Sequence, residues 1–317
     1  ADKIAEKLER GKAAPASDVT GQSARALAAI ALADRTKDQG DATLRSIAQW
    51  FRSQKSFPHT QAYPLYELMH AYNDNLRIDL REEAKAYFET FPTDHMVSHY
   101  PAPFPAPENL YRVPVYVHDG EPDVRDMVMS RAAELEMVAL DTNALASQFL
   151  QGWLMQDRYM MRSGLGVTYE FLWANPYQPG LSYFHEPLVF HSSLTGHVFA
   201  RTSWDEDATW IGYFDGHIQL FRDGGVQNLK PGATVRPVQV GDAMLMTAPA
   251  PGAKGEVRFD ASSEAVFLLG LAPDTWYDVE PDDQELSEAH TDSGGTLVLA
   301  FPPETQAAVR IRKSASQ

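Results

Sequence analysis

The sequence contains no cysteine. That excludes disulfides, zinc–thiolate centres and thiol nucleophiles, and it leaves the redox compartment open. Long apolar runs are missing as well. No stretch approaches the roughly 20 residues that a membrane-spanning helix needs, so no membrane insertion is expected. Concentrated positive charge is also absent: 27 Lys and Arg stand against 43 Asp and Glu, a formal charge of −16. The arginines are scattered, and a binder of phosphate backbone needs a basic stripe, so nucleic acid is not an expected partner. The same charge works against long-range capture of an acidic polysaccharide, although a local basic cleft overrides a global sign at short range. Glycine patterns that cradle phosphates or dinucleotides do not occur, nor does a nucleophile elbow. Most cofactor enzymes and serine hydrolases are thereby removed, and no cofactor is expected.

What is present fits a folded protein of two parts. A chain of 317 residues is long enough for two cores, and its 44% hydrophobic and 22% charged fractions are ordinary for globular protein. The first residue is alanine. That fits a chain from which a signal peptide or an upstream segment has been removed, so a secreted or periplasmic protein is expected.

The first half reads as helix. Four amphipathic segments precede residue 92. The first covers about 21–36, with Leu27, Ile30 and Ala31 on one face, and Asp41 caps a second carrying Leu44, Ile47 and Phe51. Pro64 suits the first turn of a third, with Leu65, Leu68, Met69 and Tyr72 as its stripe. Asp79 and Glu82 resemble a capping box for a fourth, with Leu80, Ala84, Tyr87, Phe88 and Phe91. Residues 92–120 are too proline-rich for helix and read as loop or extended chain. Two further helices follow, one opened by Pro122 with Leu135 and Val138 inward, the other capped by Asp141 or Asn143 and ending near Gly164. Short connections make these helical hairpins, an incomplete α/α toroid-like array over 1–165.

From Thr168 the period changes to two. Strands are expected over 168–173, 182–192, 197–203, 208–214, 217–221, 233–240, 243–248, 256–260, 264–271, 275–280, 295–301 and 307–312. Asp215-Gly216 marks a hairpin, and Asp223-Gly224-Gly225 a further turn. The acidic run 280–288 reads as a solvated loop. The expected fold class is therefore α+β, with an antiparallel β-sandwich over 166–317.

Chemistry-bearing residues concentrate in 169–221. Alternation along 182–191 puts Tyr183, His185 and His191 on one strand face. His185 and His191 then lie about 20 Å apart at ~3.3 Å per residue, too far to share a metal, and no metal site is expected. Tyr183 and His185 are close enough to enter one cleft, and both types serve as general acid and base; buried, hydrogen-bonded core residues are the competing reading. Trp204-Asp205-Glu206-Asp207 is a hairpin tip whose acids lack the donor spacing of a calcium loop. His99 with Tyr100, and Arg158 with Arg162, are the remaining candidates, set in loops or at helix ends.

The run from Arg201 through Trp204, Trp210 and Asp215 to Gly216 resembles the β-sandwich domain of heparinase II/III-like polysaccharide lyases, where a strand ending in Arg/Ser/Trp, an acidic turn and an apolar strand into Gly recur. Gly294-Gly295-Thr296-Leu297 and Val309–Arg312 fit the same kind of sandwich. The resemblance implies a helical toroid followed by antiparallel sheets, with polysaccharide held between them. It also implies β-elimination from a uronate, with His185 as the sandwich histidine, Tyr183 or Tyr100 as acid/base and Arg158 or Arg162 neutralising the uronate carboxylate. A missing upstream part of the toroid is expected from the short helical half. The different-class alternative is a non-catalytic carbohydrate-binding or assembly module, with Trp173, Tyr177 and Trp210 as an aromatic platform.

Overall fold

The computed structural model describes residues 2–13, 16–34, 37–101, 124–156, 164–175, 177–230, 232–233, 236–252, 255–282 and 286–314. Helices come first and strands follow, the two-part α+β order that the change of period predicts. The chain divides into two units: residues 1–95 with 121–183, and residues 96–120 with 184–317.

The helical unit begins with α1 (Asp2–Ala13), α2 (Val19–Ala31), α3 (Lys37–Arg52) and α4 (Ala62–Leu76). Asp18 caps α2 by accepting from the Gly21 N–H. The stripes expected on α3 and α4 are buried: Leu44, Ile47 and Phe51 on one, Leu65, Leu68, Met69 and Tyr72 on the other. The face expected on α2 is not. That helix buries Val19, Gln22, Ser23, Ala26, Ala28 and Ala29 and leaves Leu27 exposed. Small side chains let α2 approach α4 closely, which brings Ser23 Oγ to 2.9 Å from Glu67 Oε2.

Asp79 does cap, accepting from the Arg81 N–H, but the element behind it is broken into a 3-10 turn (Leu80–Ala84) and then α5 (Lys85–Phe88). α6 (Phe91–Val97) occupies the start of the expected loop; Pro92 sits in its first turn, where a missing N–H costs nothing. The helical unit ends with α7 (Val124–Leu140), α8 (Leu145–Gln156) and α9 (Gly164–Trp173). From Ser130 to Val138 every residue of α7 is buried, so this part of the helix is enclosed rather than amphipathic. One of its acids is answered by close partners: Glu134 accepts from Arg131 Nη1 at 2.7 Å and pairs with His95 Nε2 at 3.1 Å. The expected strand over 168–173 is helix, the second half of α9.

The strand unit is three stacked layers. The first sheet is the meander β1 (Val189–Ser192), β2 (His197–Arg201), β3 (Trp210–Phe214), β4 (His217–Arg222) and β5 (Gly225–Leu229). Asp215 (φ 48°) and Gly216 (φ 78°) make the β3–β4 turn in the left-handed conformation that the Asp-Gly pair predicts. The remaining strands are β6 (Val238–Val240), β7 (Ala243–Thr247), β8 (Glu256–Ala261), β9 (Ala265–Leu269), β10 (Trp276–Pro281), β11 (Ser287–His290), β12 (Leu297–Ala300) and β13 (Ala307–Lys313). They form one sheet in the order β12-β9-β7-β6 and another in the order β11-β10-β13-β8.

The β12-β9-β7-β6 sheet lies between the other two. Val266 and Leu268 of β9 join the core with Val257, Val309 and Ile311, whereas Phe267 and Leu269 join the core with Val198, Ile211 and Leu220. Burial on both faces explains the unbroken apolar runs of β7 and β9, and these two strands pair in parallel. The sandwich is therefore mixed, not wholly antiparallel. β11 also replaces part of the expected acidic loop.

Asp292 ties the first sheet to the middle one. Its Oδ2 lies 2.8 Å from His191 Nε2, and its Oδ1 accepts from the Gly294 and Thr296 N–H groups. Burial pushes its carboxyl up, but the His191 bond, the two N–H groups and the imidazole's charge outweigh that and hold it below its ordinary 3.8. A depressed carboxyl stabilises the fold above the unfolded value and loses that contribution as pH falls through the folded one. Asp292→Ala strands two backbone donors and is expected to cost about 1–3 kcal/mol at pH 7 in urea unfolding, with the gap to wild type narrowing as pH falls below 3.8. An unchanged midpoint at pH 7 would contradict this.

Candidate active site in the helical unit

The sequence of α4 carries a second stripe behind its apolar one. Tyr63, Glu67, His70 and Asp74 recur at i, i+4, i+7 and i+11, which sets them on one helical face. α7 lies against α4 and contributes Glu136, and α9 contributes Tyr169 and Trp173 one turn apart. The Tyr63 and Tyr169 rings meet at 5.1 Å, and those of His70 and Trp173 at 4.1 Å. Besides Asp74, three helices thus gather two carboxyl groups, two phenols, an imidazole and an indole.

The two carboxyl groups sit in different surroundings. Glu67 is half-buried and is held by two hydroxyls: Ser23 Oγ donates to Oε2 at 2.9 Å and Tyr63 Oη to Oε1 at 3.4 Å. Glu136 is 1% exposed, and its Oε2 has no hydrogen-bond partner among the described residues. Burial, reinforced by the charge of Glu67, drives the Glu136 carboxyl well above its ordinary value and keeps its proton on. Tyr63 is pushed up too, by burial first and then by its bond to the Tyr169 hydroxyl and the nearby acids. Its phenol holds its proton and is a donor, not a base. His70 moves the other way: burial lowers it, against the pull of the Glu136 carbonyl and Asp74. Chemically the site holds one acid that keeps its proton and one carboxyl group set up as an acceptor. That is the division of labour in acid–base catalysis by paired carboxylates.

No family model matches the chain, and no curated protein does. Among solved structures, one described as a glycoside hydrolase aligns with 99% of this chain and 59% of its own length, at 10% identity and a TM-score of 0.28. The chain thus spans 59% of that neighbour. A superposition at that score carries no argument for either fold or chemistry.

The residues singled out in the sequence are dispersed. Tyr183 and His185 stand on a 3-10 turn, Tyr183–His185, instead of a strand; Tyr183 is buried and His185 exposed, so the shared strand face does not exist. The cause is local: Pro187 follows, and β1 begins only at Val189. His99 is buried. Tyr100 is also buried; its hydroxyl donates to Gln219 Oε1 at 2.8 Å, and its ring stacks on Phe221. Burial pushes its phenol up to about 12, so the phenol keeps its proton at neutral pH and acts as a donor. Arg158 and Arg162 lie outside the described residues.

The aromatic platform is not assembled from its three expected members either. Trp173 is half-buried against His70, Tyr177 is 94% exposed, and Trp210 is 0% exposed, with no face open to a ligand. In the Trp204–Asp207 turn the three acids are exposed, while Trp204 is buried beneath the Arg201 guanidinium, 4.2 Å from its ring.

Tyr63, Glu67, His70, Glu136 and Tyr169 escaped the sequence reading. The signal for the first three is the polar stripe on α4. For Glu136 it is a charged residue among Ala132, Ala133, Leu135, Met137 and Val138, a segment too apolar to be a solvated face.

Proposed function

We propose that this protein processes carbohydrate, and that its helical unit cleaves a glycosidic bond by general acid–base catalysis at Glu136 and Glu67. The observation that carries the reading is a buried carboxyl on α7, Glu136, whose Oε2 meets no hydrogen-bond partner among the described residues and which burial pushes well above its ordinary value, together with Glu67 on α4, held by Ser23 and Tyr63. Glu136 is 1% exposed, so the cleavage step requires the packing over it to open; Glu136 then gives its proton to the glycosidic oxygen as the bond to the anomeric carbon breaks. Water attacks that carbon and passes its proton to Glu67. The departing sugar leaves as a hydroxyl, and the new anomeric hydroxyl comes from water. Trp173, half-buried at the edge of the site, supplies an apolar face for a sugar ring.

β-Elimination from a uronate is the second reading, supported by the resemblance of 201–216 to heparinase II/III-like lyases. In it Tyr183 or Tyr100, His185 and Arg158 or Arg162 keep the roles that the resemblance implies. The state of Tyr100 speaks against it as the base.

One assay separates these readings. The protein is incubated with neutral and uronate-containing polysaccharides while reducing ends and ultraviolet absorbance are followed. New reducing ends without absorbance are expected. Absorbing unsaturated ends would put elimination in place of hydrolysis. Retention on a polymer without cleavage would favour a binding module, and neither cleavage nor retention on any polymer would overturn the carbohydrate reading.

A further inference from the structure

We propose that His70 is a positioning residue of this site, holding the Trp173 indole and the Glu136 backbone in one geometry through two separable contacts. The inference rests on the glycan-cleaving reading above.

His70 is 6% exposed and touches three of the helices that build the site, α4, α7 and α9. On α4, its own helix, Nδ1 faces Asp74 Oδ2 one turn further on, at 3.7 Å, beyond hydrogen-bond reach. Toward α7, Nε2 lies 2.9 Å from the Glu136 carbonyl oxygen. A carbonyl only accepts, so Nε2 carries the proton, and the neutral ring keeps its lone pair on Nδ1. Toward α9, the ring lies 4.1 Å from Trp173 and is tilted by 38°. The titratable groups acting on it are Asp74 from α4 and Arg81 from the 3-10 turn; α7 acts through the Glu136 backbone carbonyl, and α9 faces it with Trp173. The N–H therefore fixes the segment that carries the acid, and the ring face fixes the platform on which a sugar would stack.

A histidine that merely filled the core would lower apparent kcat in both variants through loss of folded protein and leave KM unchanged, so kcat is taken per folded molecule. Two contacts with two purposes predict a split. His70→Phe keeps a flat ring against Trp173 and removes the N–H; kcat is expected to fall about tenfold, with KM near wild type. His70→Gln keeps a donor and removes the ring; KM is expected to rise about tenfold, with kcat within a few-fold. KM unchanged in both variants, with kcat falling only in step with the folded fraction, would overturn the proposal.

A second measurement does not need turnover. Protonating His70 beside Trp173 quenches the indole, so acid titration of wild-type fluorescence is expected to show a step below the ordinary histidine value of 6.5. The step should vanish in Trp173→Phe, a change at a half-buried position that also serves if the His70 variants do not fold. A wild-type protein that cleaves no polymer defeats the glycan-cleaving reading alone, and the fluorescence step then decides the His70–Trp173 coupling. A step that survives in Trp173→Phe, or no step in wild type, overturns the coupling.

Discussion

Glu136→Gln is expected to lower kcat on any glycan the protein cleaves by about 10²-fold or more, while raising the melting temperature at neutral pH. The loss follows from the role: glutamine has the shape of a protonated glutamic acid but no proton to give to a leaving oxygen. The gain follows from burial. The Glu136 carboxyl is raised above its ordinary 4.5, so the folded chain holds a proton that the unfolded chain releases. That contribution is complete at or below pH 4.5 and is lost as pH rises, until the folded group itself ionises. Glutamine has no such dependence. The stability difference between variant and wild type should therefore widen as pH rises above 4.5, which thermal melts across a pH series will read directly. Lower stability of the variant at every pH would mean that Glu136 is held as an ion by contacts of its own.

Trp210→Ala is expected to cost the strand unit about 3–5 kcal/mol. The indole stacks on Phe199 and meets Tyr100 edge-on, and its Nε1 donates to the Val97 carbonyl at 2.8 Å. It also lies over Gly212, where an added Cβ would sit 2.2 Å from its ring. Removing it leaves a void and an unmatched carbonyl at once. A Trp that served as a sugar platform would behave in the opposite way, costing little stability and abolishing retention on glycan. Urea unfolding and polymer affinity measured on the same variant distinguish the two.

The fold was legible where one periodicity had one cause. α3 and α4 each bury a single apolar stripe, and Asp215-Gly216 forms its turn because few residues other than glycine, Asn and Asp accept positive φ. Legibility failed where tertiary context set the pattern. Thr168–Trp173 is rich in strand-favouring side chains, yet Tyr169 and Trp173 stand one helical turn apart, packed on Tyr63 and His70. The parallel pairing of β7 and β9 was hidden because strands buried on both faces show no alternation to orient them. Tyr183 and His185 were paired on the assumption of an extended strand, and the 3-10 turn before Pro187 removes it. The candidate site was the least legible part. Its members come from α2, α4, α7 and α9, and only the packing of those helices brings Ser23, Glu67, Glu136 and Trp173 together.

The protonation of Glu136 at neutral pH is best read by infrared difference spectroscopy between wild type and Glu136→Gln. A protonated-carboxyl carbonyl stretch should be present in wild type at pH 7, absent from the variant, and lost only at a pH well above the ordinary 4.5 of a glutamate. A difference spectrum showing only ionised-carboxylate stretches at pH 7 would contradict it and leave the site without its acid.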